Sequence, residues 1–362
     1  MQTADRYRRA PGLVIYWAGS QAVCFIWQSC ERIPISMEAA GLLQEFSDWT
    51  SLAEFRDRVA PGSELEVVAG TIGLLHTLRL VEREGDVSGD GGWQEWSPEA
   101  AFFHFSTKNG MFPEDLGRRD RELVAKAAHD PQPAPTKHVD GPRHRLPNRP
   151  LVSLELQASL NERRTWRRFS DQAVPCAALG TVLAQTFGVS RRAAVAGQGP
   201  VILRRSPSGG SRHPIEAYLL AWNVDGLKAG AYHYDSETLE LVDLGRSISS
   251  NDIAPLLAHQ TYFRRAGAVV VMCPVFARTM WRYGHSRAYR TVLLDAGHLG
   301  QTFCLVATAL GLAPFTTMAF SESGLEQLLG LDGVRECPIY VAGVGMPDPA
   351  ASSQPGKMDF SV

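Results

Sequence analysis

The 362-residue chain is short of several features that would mark a common class. No run of 18 apolar residues and no amino-terminal signal pattern occur, so the expected protein is soluble and cytoplasmic, with no membrane partner. The six cysteines, Cys24, Cys30, Cys176, Cys273, Cys304 and Cys337, include no CxxC pair. Most sit in apolar runs and read as free thiols in a reducing compartment, and no metal site is expected. Charge of either sign is not in excess, with 36 Lys+Arg against 38 Asp+Glu. No global field therefore favours nucleic acid. No GxGxxG follows a strand pattern, so no resident nicotinamide site is expected. Residues 1–85 lack lysine altogether and hold 8 arginines against 11 acidic residues. That excess of negative charge argues against duplex DNA as a partner of the amino-terminal part.

What is present comes in two blocks. Residues 13–17 (LVIYW) and 22–28 (AVCFIWQ) form a hairpin pattern around Ala18-Gly19-Ser20-Gln21. Three helices are predicted next. Ser36 caps the first, and Ser51 with Glu54 and Ser63 with Glu66 form capping boxes for the others. The third carries Val67, Val68, Ile72, Leu75 and Leu78 at helical spacing, and a strand at 80–83 closes the block. The sum is a winged-helix-like module, either purely structural or suited to docking a peptide by strand addition. A glycine-rich connection at 85–97 and a helical stretch at 98–128 follow, the latter with His104 among aromatics as a core histidine. Residues 129–150 contain six prolines and read as a linker or surface arm. The expected organisation is a module at 1–130, a linker at 131–150 and a second domain at 151–362.

In the second block, Arg163-Arg164-Thr165-Trp166-Arg167-Arg168 puts four arginines around a threonine, a set that suits a phosphate dianion or, by itself, a solvated helix end. A helix at 175–187 and a small-residue loop at 190–200 are predicted before the stretch 204–220, RRSPSGGSRHPIEAYLL. There Gly209 and Gly210 let backbone N–H groups approach a ligand, and Ser206, Ser208 and Ser211 add hydroxyls. Paired strands are predicted at 231–235 and 239–242, and a central buried strand at 267–275. A long helix at 287–310 ends at Gly311, a loop spans 316–323 with a short helix at 325–329, and a last strand spans 338–344.

Taken in order, RRTWRRF at 163–169, SPSGGSRHPIEAYLL at 206–220 with AYHYD at 231–235, WRYGHSRAYRTVLLDAGHLGQTFCLVATALGL at 281–312, and LLGLDGVRECPIYVAGVG at 328–345 resemble the FMN-dependent nitroreductase superfamily. More narrowly they resemble its SagB-type dehydrogenases, which oxidise azolines to azoles in ribosomal peptide natural products. The resemblance implies an α+β fold, a mainly antiparallel sheet flanked by helices, and a homodimer with FMN at the subunit interface. It implies that Arg163, Arg164, Thr165 and Arg167 grip the FMN phosphate. Pro207, Ser208, Gly209, Gly210 and Ser211 would lie along the flavin, often from the partner subunit. Ala319, Phe320 and Ser321 would approach it from the loop before a short helix. Many relatives place a basic residue just after the final strand; Gly345-Met346-Pro347 stands there in this chain, which shifts weight to the 163–168 arginines and to Arg287 or Arg290. Such dehydrogenases usually carry a catalytic Lys-Tyr pair where this chain has Arg282-Tyr283. Arginine is a poor base, so Tyr283 is the proton-transfer candidate and Arg282 its electrostatic partner.

The expected activity is a two-electron dehydrogenation on a peptide or amino-acid-derived unit, with a precursor peptide or a partner biosynthetic enzyme as possible further partners. The competing readings are an NAD(P)H-dependent nitro or quinone reductase and a non-catalytic peptide-binding scaffold. A scaffold would purify colourless and stay so when FMN is added.

Overall fold

The computed structural model describes residues 5–26, 29–86, 98–106, 116–147, 156–197, 199–258, 260 and 262–352. Residues 87–97 of the glycine-rich connection, the His104 side chain and residues 151–155 lie outside them. Internal contacts divide the chain into two units, Met1–Met111 and Phe112–Val362.

The first unit runs β1 (Arg6–Arg9), β2 (Leu13–Ala18), β3 (Gln21–Ile26), β4 (Glu31–Pro34), α1 (Met37–Gln44), β5 (Thr50–Ser51), α2 (Leu52–Val59), α3 (Leu65–Thr77), β6 (Val81–Arg83) and α4 (Pro98–Ser106). The hairpin forms as its pattern requires, from Leu13↔Ile26 to Ala18↔Gln21. Ser36 accepts from the Ala39 N–H at 3.2 Å, and Ser51 with Glu54 closes a full capping box. The box expected at Ser63 and Glu66 does not form. Glu64 is the N-cap of α3 and makes no side-chain cap bond. The backbone turns helical one residue later than Ser63, and the Val67 N–H bonds the Glu64 carbonyl at 3.2 Å. Val68, Ile72 and Leu75 face the core from α3, packing with Tyr7, Phe46 and Phe55, whereas Val67 points outward. The closing strand β6 pairs with β1, not with the hairpin, so the unit holds two three-stranded sheets, β5-β1-β6 and β2-β3-β4.

The second unit runs α5 (Leu116–Ala127), β7 (Arg143–Arg145), α6 (Leu156–Glu162), α7 (Cys176–Phe187), β8 (Arg191–Val195), β9 (Gly199–Leu203), β10 (Ile215–Ala221), β11 (Gly230–Asp235), β12 (Glu240–Arg246), α8 (Ser250–Ile253), β13 (Ala268–Pro274), α9 (Phe276–Arg282), α10 (Ala288–Ala309), β14 (Ala313–Thr317), α11 (Glu322–Leu329), β15 (Tyr340–Gly345) and α12 (Pro349–Ser352). Seven strands form one antiparallel sheet in the order β14-β15-β13-β10-β11-β12-β7.

The two central strands are buried on both sides and, Glu216 of β10 apart, apolar on both, which is why their sequences read as nearly continuous hydrophobic runs. Successive side chains alternate between faces. Ala217, Leu219, Val270 and Met272 pack under α7 and α10 against Leu183, Phe187, Leu299 and Phe303. Tyr218, Leu220, Val269 and Val271 pack on the opposite face against Phe263, Phe315 and Leu325. Each fully buried Leu, Val, Met or Phe among them contributes about 1.5–3 kcal/mol. The sheet is thus sandwiched, and α10 is the helix from which the site is built.

Two stretches differ from their predicted form. Residues 190–200 are a hairpin, β8 with β9, rather than a loop. Every residue of β8 is exposed, so no alternation marks it in the sequence. The described part of the 131–150 stretch packs within the second unit: β7 pairs with β12 and adds the last strand to the sheet. Helix α10 is long and apolar enough to span a bilayer by length and composition, yet 56% of its most apolar window is buried inside the protein. Its inward residues, Val292, Ala296, Leu299, Phe303 and Ala307, belong to the core.

Candidate active site

The turn between β9 and β10 is fastened to α10. The Ser208 hydroxyl donates to Asp295 Oδ2 at 2.6 Å, and the Gly209 N–H donates to Oδ1 at 3.3 Å. Ser208 Oγ also accepts from the His213 N–H at 2.8 Å. Farther along the helix, Ser206 and Thr302 share a hydroxyl hydrogen bond of 2.7 Å. Asp295 is buried among the inward, mostly apolar residues of α10, and burial pushes its carboxyl above the ordinary range despite these donors. It is the anchor that the sequence reading missed. An acidic residue at the inward position of a helix of small and apolar residues was the available signal.

The same turn meets the residues before α10. Gly210 has φ of +59°, a conformation that side chains disfavour. A Cβ built on Gly210 would lie 2.6 Å from Arg282 Cδ and 2.7 Å from the Tyr283 hydroxyl oxygen. A Cβ on Gly209 would run into the Thr291 methyl group of α10. Glycine at both positions therefore lets the turn, Arg282 and Tyr283 close together. Arg282 ends α9 and Tyr283 is its C-cap. Arg212, just past the turn, donates from Nε to the Gly210 carbonyl at 2.8 Å. Pro207 is exposed, while Ser208, Gly209, Gly210, Ser211, Arg282 and Tyr283 are half-buried, so the cluster is open on one side.

The arginine-rich segment stands elsewhere on the unit, in extended form. The Trp166 N–H bonds the Pro314 carbonyl at 2.9 Å, and the Ser170 N–H bonds that of Met346 at 3.0 Å, which lays the segment beside β14 and the end of β15. Arg164 stacks over Trp166 at 3.7 Å and donates to the Ala351 carbonyl at 3.3 Å. Arg163 and Arg164 are half-buried; Thr165 and Arg167 are exposed. Among the described residues, Arg163, Arg164 and Arg167 form no ion pair with a carboxylate. Three uncompensated guanidinium groups with a hydroxyl fit a phosphate group. Arg287 and Arg290 lie at the start of α10. Of the 319–321 loop, Ser321 caps α11 through the Gly324 N–H at 3.2 Å, Phe320 packs on the core, and the Ala319 carbonyl accepts from Gln260 at 3.4 Å.

Beneath the turn lies a buried polar network that composition and motif do not announce. Glu216 of β10 accepts from Arg278 of α9 at 2.5 Å and lies 2.9 Å from His233 Nε2 of β11. Burial would raise the Glu216 carboxyl; the Arg278 charge and the His233 hydrogen bond outweigh it and bring it down to about 2. Arg204 donates to the Ile215 carbonyl and to Ser236, and burial pulls its guanidinium down to about 10. Burial, then the Arg204 charge, lowers His213 to about 3, so its ring is neutral at physiological pH. Arg278 also donates from Nε to the Ala134 carbonyl at 2.9 Å, and Lys137 reaches Tyr218 and Glu336. The proline-rich arm is thereby pinned to α9 and the sheet.

This sheet, its flanking helices and a glycine turn packed on a central helix form an α+β unit. The chain belongs to the nitroreductase family, whose family model matches residues 160–346. It is 26% identical over 195 residues to the candidate nitroreductase MJ1384 of Methanocaldococcus jannaschii, a match covering 54% of this chain and 92% of that protein. It is 33% identical over 130 residues to the trifolitoxin-processing protein TfxB of Rhizobium leguminosarum bv. trifolii, covering 35% of each. It is 31% identical over 152 residues to the microcin B17-processing protein McbC of Escherichia coli, covering 39% of this chain and 53% of McbC. The chain thus spans about a third and about half of the length of those two peptide-processing proteins.

Proposed function

We propose that the chain is an FMN-dependent oxidoreductase that performs a two-electron dehydrogenation, azoline to azole or a closely related step, on a peptide or amino-acid-derived natural-product intermediate. The observation that carries this reading is the convergence of the Arg282 side chain and the Tyr283 hydroxyl on the Gly209–Gly210 turn. That is a proton-transfer group and a fixed cation set against a backbone surface without side chains.

Bound FMN would supply a two-electron acceptor. Arg163, Arg164, Thr165 and Arg167 would hold its phosphate, and the chemistry of that uncompensated donor set fits one. Pro207, Ser208, Gly209, Gly210 and Ser211 would line its ring, with Ala319, Phe320 and Ser321 nearby. Tyr283 would move the proton at its hydroxyl oxygen, and Arg282 would hold the negative charge that develops. The names of TfxB and McbC support a peptide substrate. In the first unit, the exposed Ile15 and Trp17 of edge strand β2 support a peptide-docking role. Ile15 also lines a cavity of about 490 Å³ with Arg9, Leu13, Leu43, Gln44 and Ser47. Residues 1–130 would then present the substrate and 151–362 process it.

A homodimer follows from the same reading. Met280, Tyr289, Leu293 and Leu294 are exposed apolar residues on α9 and α10, a surface of the kind that a second copy covers.

The match to MJ1384 favours a second reading, reduction of a nitro or quinone group by NAD(P)H. Mass spectrometry separates the two. FMN-loaded protein incubated with a candidate azoline peptide should lower the peptide mass by two hydrogens. An unchanged peptide, together with NAD(P)H consumption on a nitroaromatic, would replace dehydrogenation with reduction.

A further inference from the structure

The glycine turn and the Arg282-Tyr283 pair come from different parts of the chain, and one short segment grips both. It comprises residues 126–132, the last turn of α5 and the start of the proline-rich arm, within the second unit. Asp130 and Gln132 each precede a proline, which disfavours helical backbone at both, and Pro131 and Pro133 fix their own φ. Residues 130–133 are therefore a stiff bar and not a flexible linker. On one side the segment holds the end of α9. Trp281, 6% exposed, donates its indole N–H to the Asp130 carbonyl at 2.9 Å. The Trp281 carbonyl is one of those that a helix end leaves without an intrahelical partner, and it accepts from Lys126 Nζ at 3.0 Å. Lys126 also lies 5.5 Å from the centre of the Trp281 ring and pairs with Asp130 at 3.5 Å, which closes the three residues into a triangle. Tyr283 rides on the same helix end, since its N–H bonds the Thr279 carbonyl at 3.0 Å. On the other side, Gln132 Oε1 accepts from Arg212 Nη1 at 2.5 Å, and Arg212 Nε holds the Gly210 carbonyl at 2.8 Å. The Arg212 guanidinium carbon lies 5.7 Å from the Trp281 ring centre, which joins the two sides.

The fold does not need these contacts to place α9. Its first turns are tied down separately, by Arg278 to Glu216 and to the Ala134 carbonyl. What Trp281 and Gln132 set is the gap between the helix end and the turn. That gap is narrow, because a Cβ on Gly210 would lie 2.7 Å from the Tyr283 hydroxyl oxygen. Misplacing a reacting group by about 1 Å costs roughly 100-fold in rate, so small slack in either support reaches the chemistry.

We propose that Trp281 and Gln132 are positioning residues, with Lys126 as the support of Trp281, and that they set Tyr283 and the Gly210 turn at their working separation. Trp281 acts on Tyr283 through the end of α9, and Gln132 acts on the Gly210 carbonyl through Arg212. Their effect on rate rests on the reading of Tyr283 as the proton-transfer group. The start of the proline-rich arm thereby belongs to the active site and not to a tether.

The test reads geometry as well as rate. The full chain is produced with 3-fluorotyrosine, with and without FMN, and the Tyr283 fluorine resonance is identified as the one lost in Tyr283→Phe. Trp281→Phe keeps an aromatic ring and removes the indole N–H, and Gln132→Ala releases Arg212. Each should shift or broaden the Tyr283 resonance. Each should also lower kcat on an azoline peptide roughly ten- to hundredfold while KM stays within about twofold. Lys126→Met should act in the same direction, and Lys126→Arg, which keeps a cation for the Trp281 carbonyl, should restore part of the rate. Lys137→Met is the control. It cuts the arm's tie to Tyr218 and Glu336, so it should lower thermal stability and leave the Tyr283 resonance in place. A Tyr283 resonance unchanged in both Trp281→Phe and Gln132→Ala overturns the proposal, as does one that moves equally far in Lys137→Met. The fluorine spectrum needs neither FMN nor substrate. A wild type that dehydrogenates nothing, with Tyr283 displaced in the two variants, keeps the positioning and sinks the dehydrogenase reading. A wild type that dehydrogenates, with Tyr283 unmoved in both variants, does the reverse.

Discussion

The Tyr283 hydroxyl oxygen lies 2.7 Å from the point at which a side chain on Gly210 would begin. The glycine is therefore part of the shape of the site. Its φ of +59° and the closeness of Tyr283 both exclude a Cβ.

Gly210→Ala should consequently damage function more than folding. The left-handed conformation costs about 1–2 kcal/mol for a residue with a side chain. The groups that must yield are the ends of flexible side chains, Arg282 and Tyr283, so the fold survives. Thermal unfolding should shift by only a few degrees, as such a cost implies for a unit of this size (roughly 2–4 °C per kcal/mol). Dehydrogenase turnover should fall at least about tenfold. A variant with wild-type turnover would remove the turn from the site.

Tyr283→Phe should retain bound FMN and the oligomeric state while losing most turnover, since positioned acid–base groups contribute roughly 10²–10⁴-fold. Arg282→Lys should keep part of the activity because the charge remains. Steady-state rates, beside flavin absorbance and gel filtration of the same preparations, check both. A fully active Tyr283→Phe enzyme would take this hydroxyl out of the mechanism.

Arg164→Ala should weaken FMN retention. The side chain is half-buried on the extended 163–168 segment and, among the described residues, pairs with no carboxylate. A charge-assisted contact to phosphate contributes about 1.5–3 kcal/mol, so the dissociation constant should rise roughly 10- to 100-fold. Fluorescence titration of apo-protein with FMN measures it, and an unchanged constant would reassign the segment.

Glu216→Gln should destabilise the protein strongly, because Arg278 and His233 would face a neutral partner in a buried place. Breaking a buried pair in this way costs about 3–5 kcal/mol. The pH dependence has a definite sign. The Glu216 carboxyl is held down to about 2 in the folded chain, against an ordinary 4.5. Its contribution to stability is thus present above pH 4.5 and is lost as pH falls toward 2. Denaturant unfolding of wild type and variant across that window should show their stability difference shrinking with acid. A difference that stays constant would contradict the ion pair.

The FMN-loaded protein should be dimeric by light scattering, and Leu293→Lys with Leu294→Lys should shift it toward monomer with loss of flavin. Both leucines are exposed on α10, 40% and 62% respectively, next to a helix face that anchors the glycine turn. A flavin-loaded monomer would exclude a cofactor shared across an interface.

Much of the architecture was legible because it depends on local patterns. The apolar runs at 215–221 and 268–274, interrupted in the first by Glu216 alone, became the two central strands, since a strand buried on both faces carries few polar residues. The hairpin at 13–26 and the Ser51–Glu54 box were also visible, each within a few residues of chain. The start of α3 was not, because capping-box spacing at Ser63 competes with a turn that begins at Glu64. The hairpin β8–β9 was hidden because its first strand buries nothing.

The candidate site divides along the same line. Sequence by itself determined which short stretches carry chemistry: the arginines at 163–168, the glycines at 209–210 and the Arg282-Tyr283 pair are contiguous motifs. Only the tertiary structure decided which of them meet. It set Gly210 against Tyr283, fastened Ser208 to Asp295 87 residues away, and joined Glu216 to Arg278 and His233 across three elements. It also put Arg212 beside Arg282 and laid the 163–168 segment beside edge strand β14 and the end of β15. The physical reason is that these partners are chosen by the packing of α9 and α10 on the sheet. A charge buried between distant segments leaves no periodic trace in any one of them.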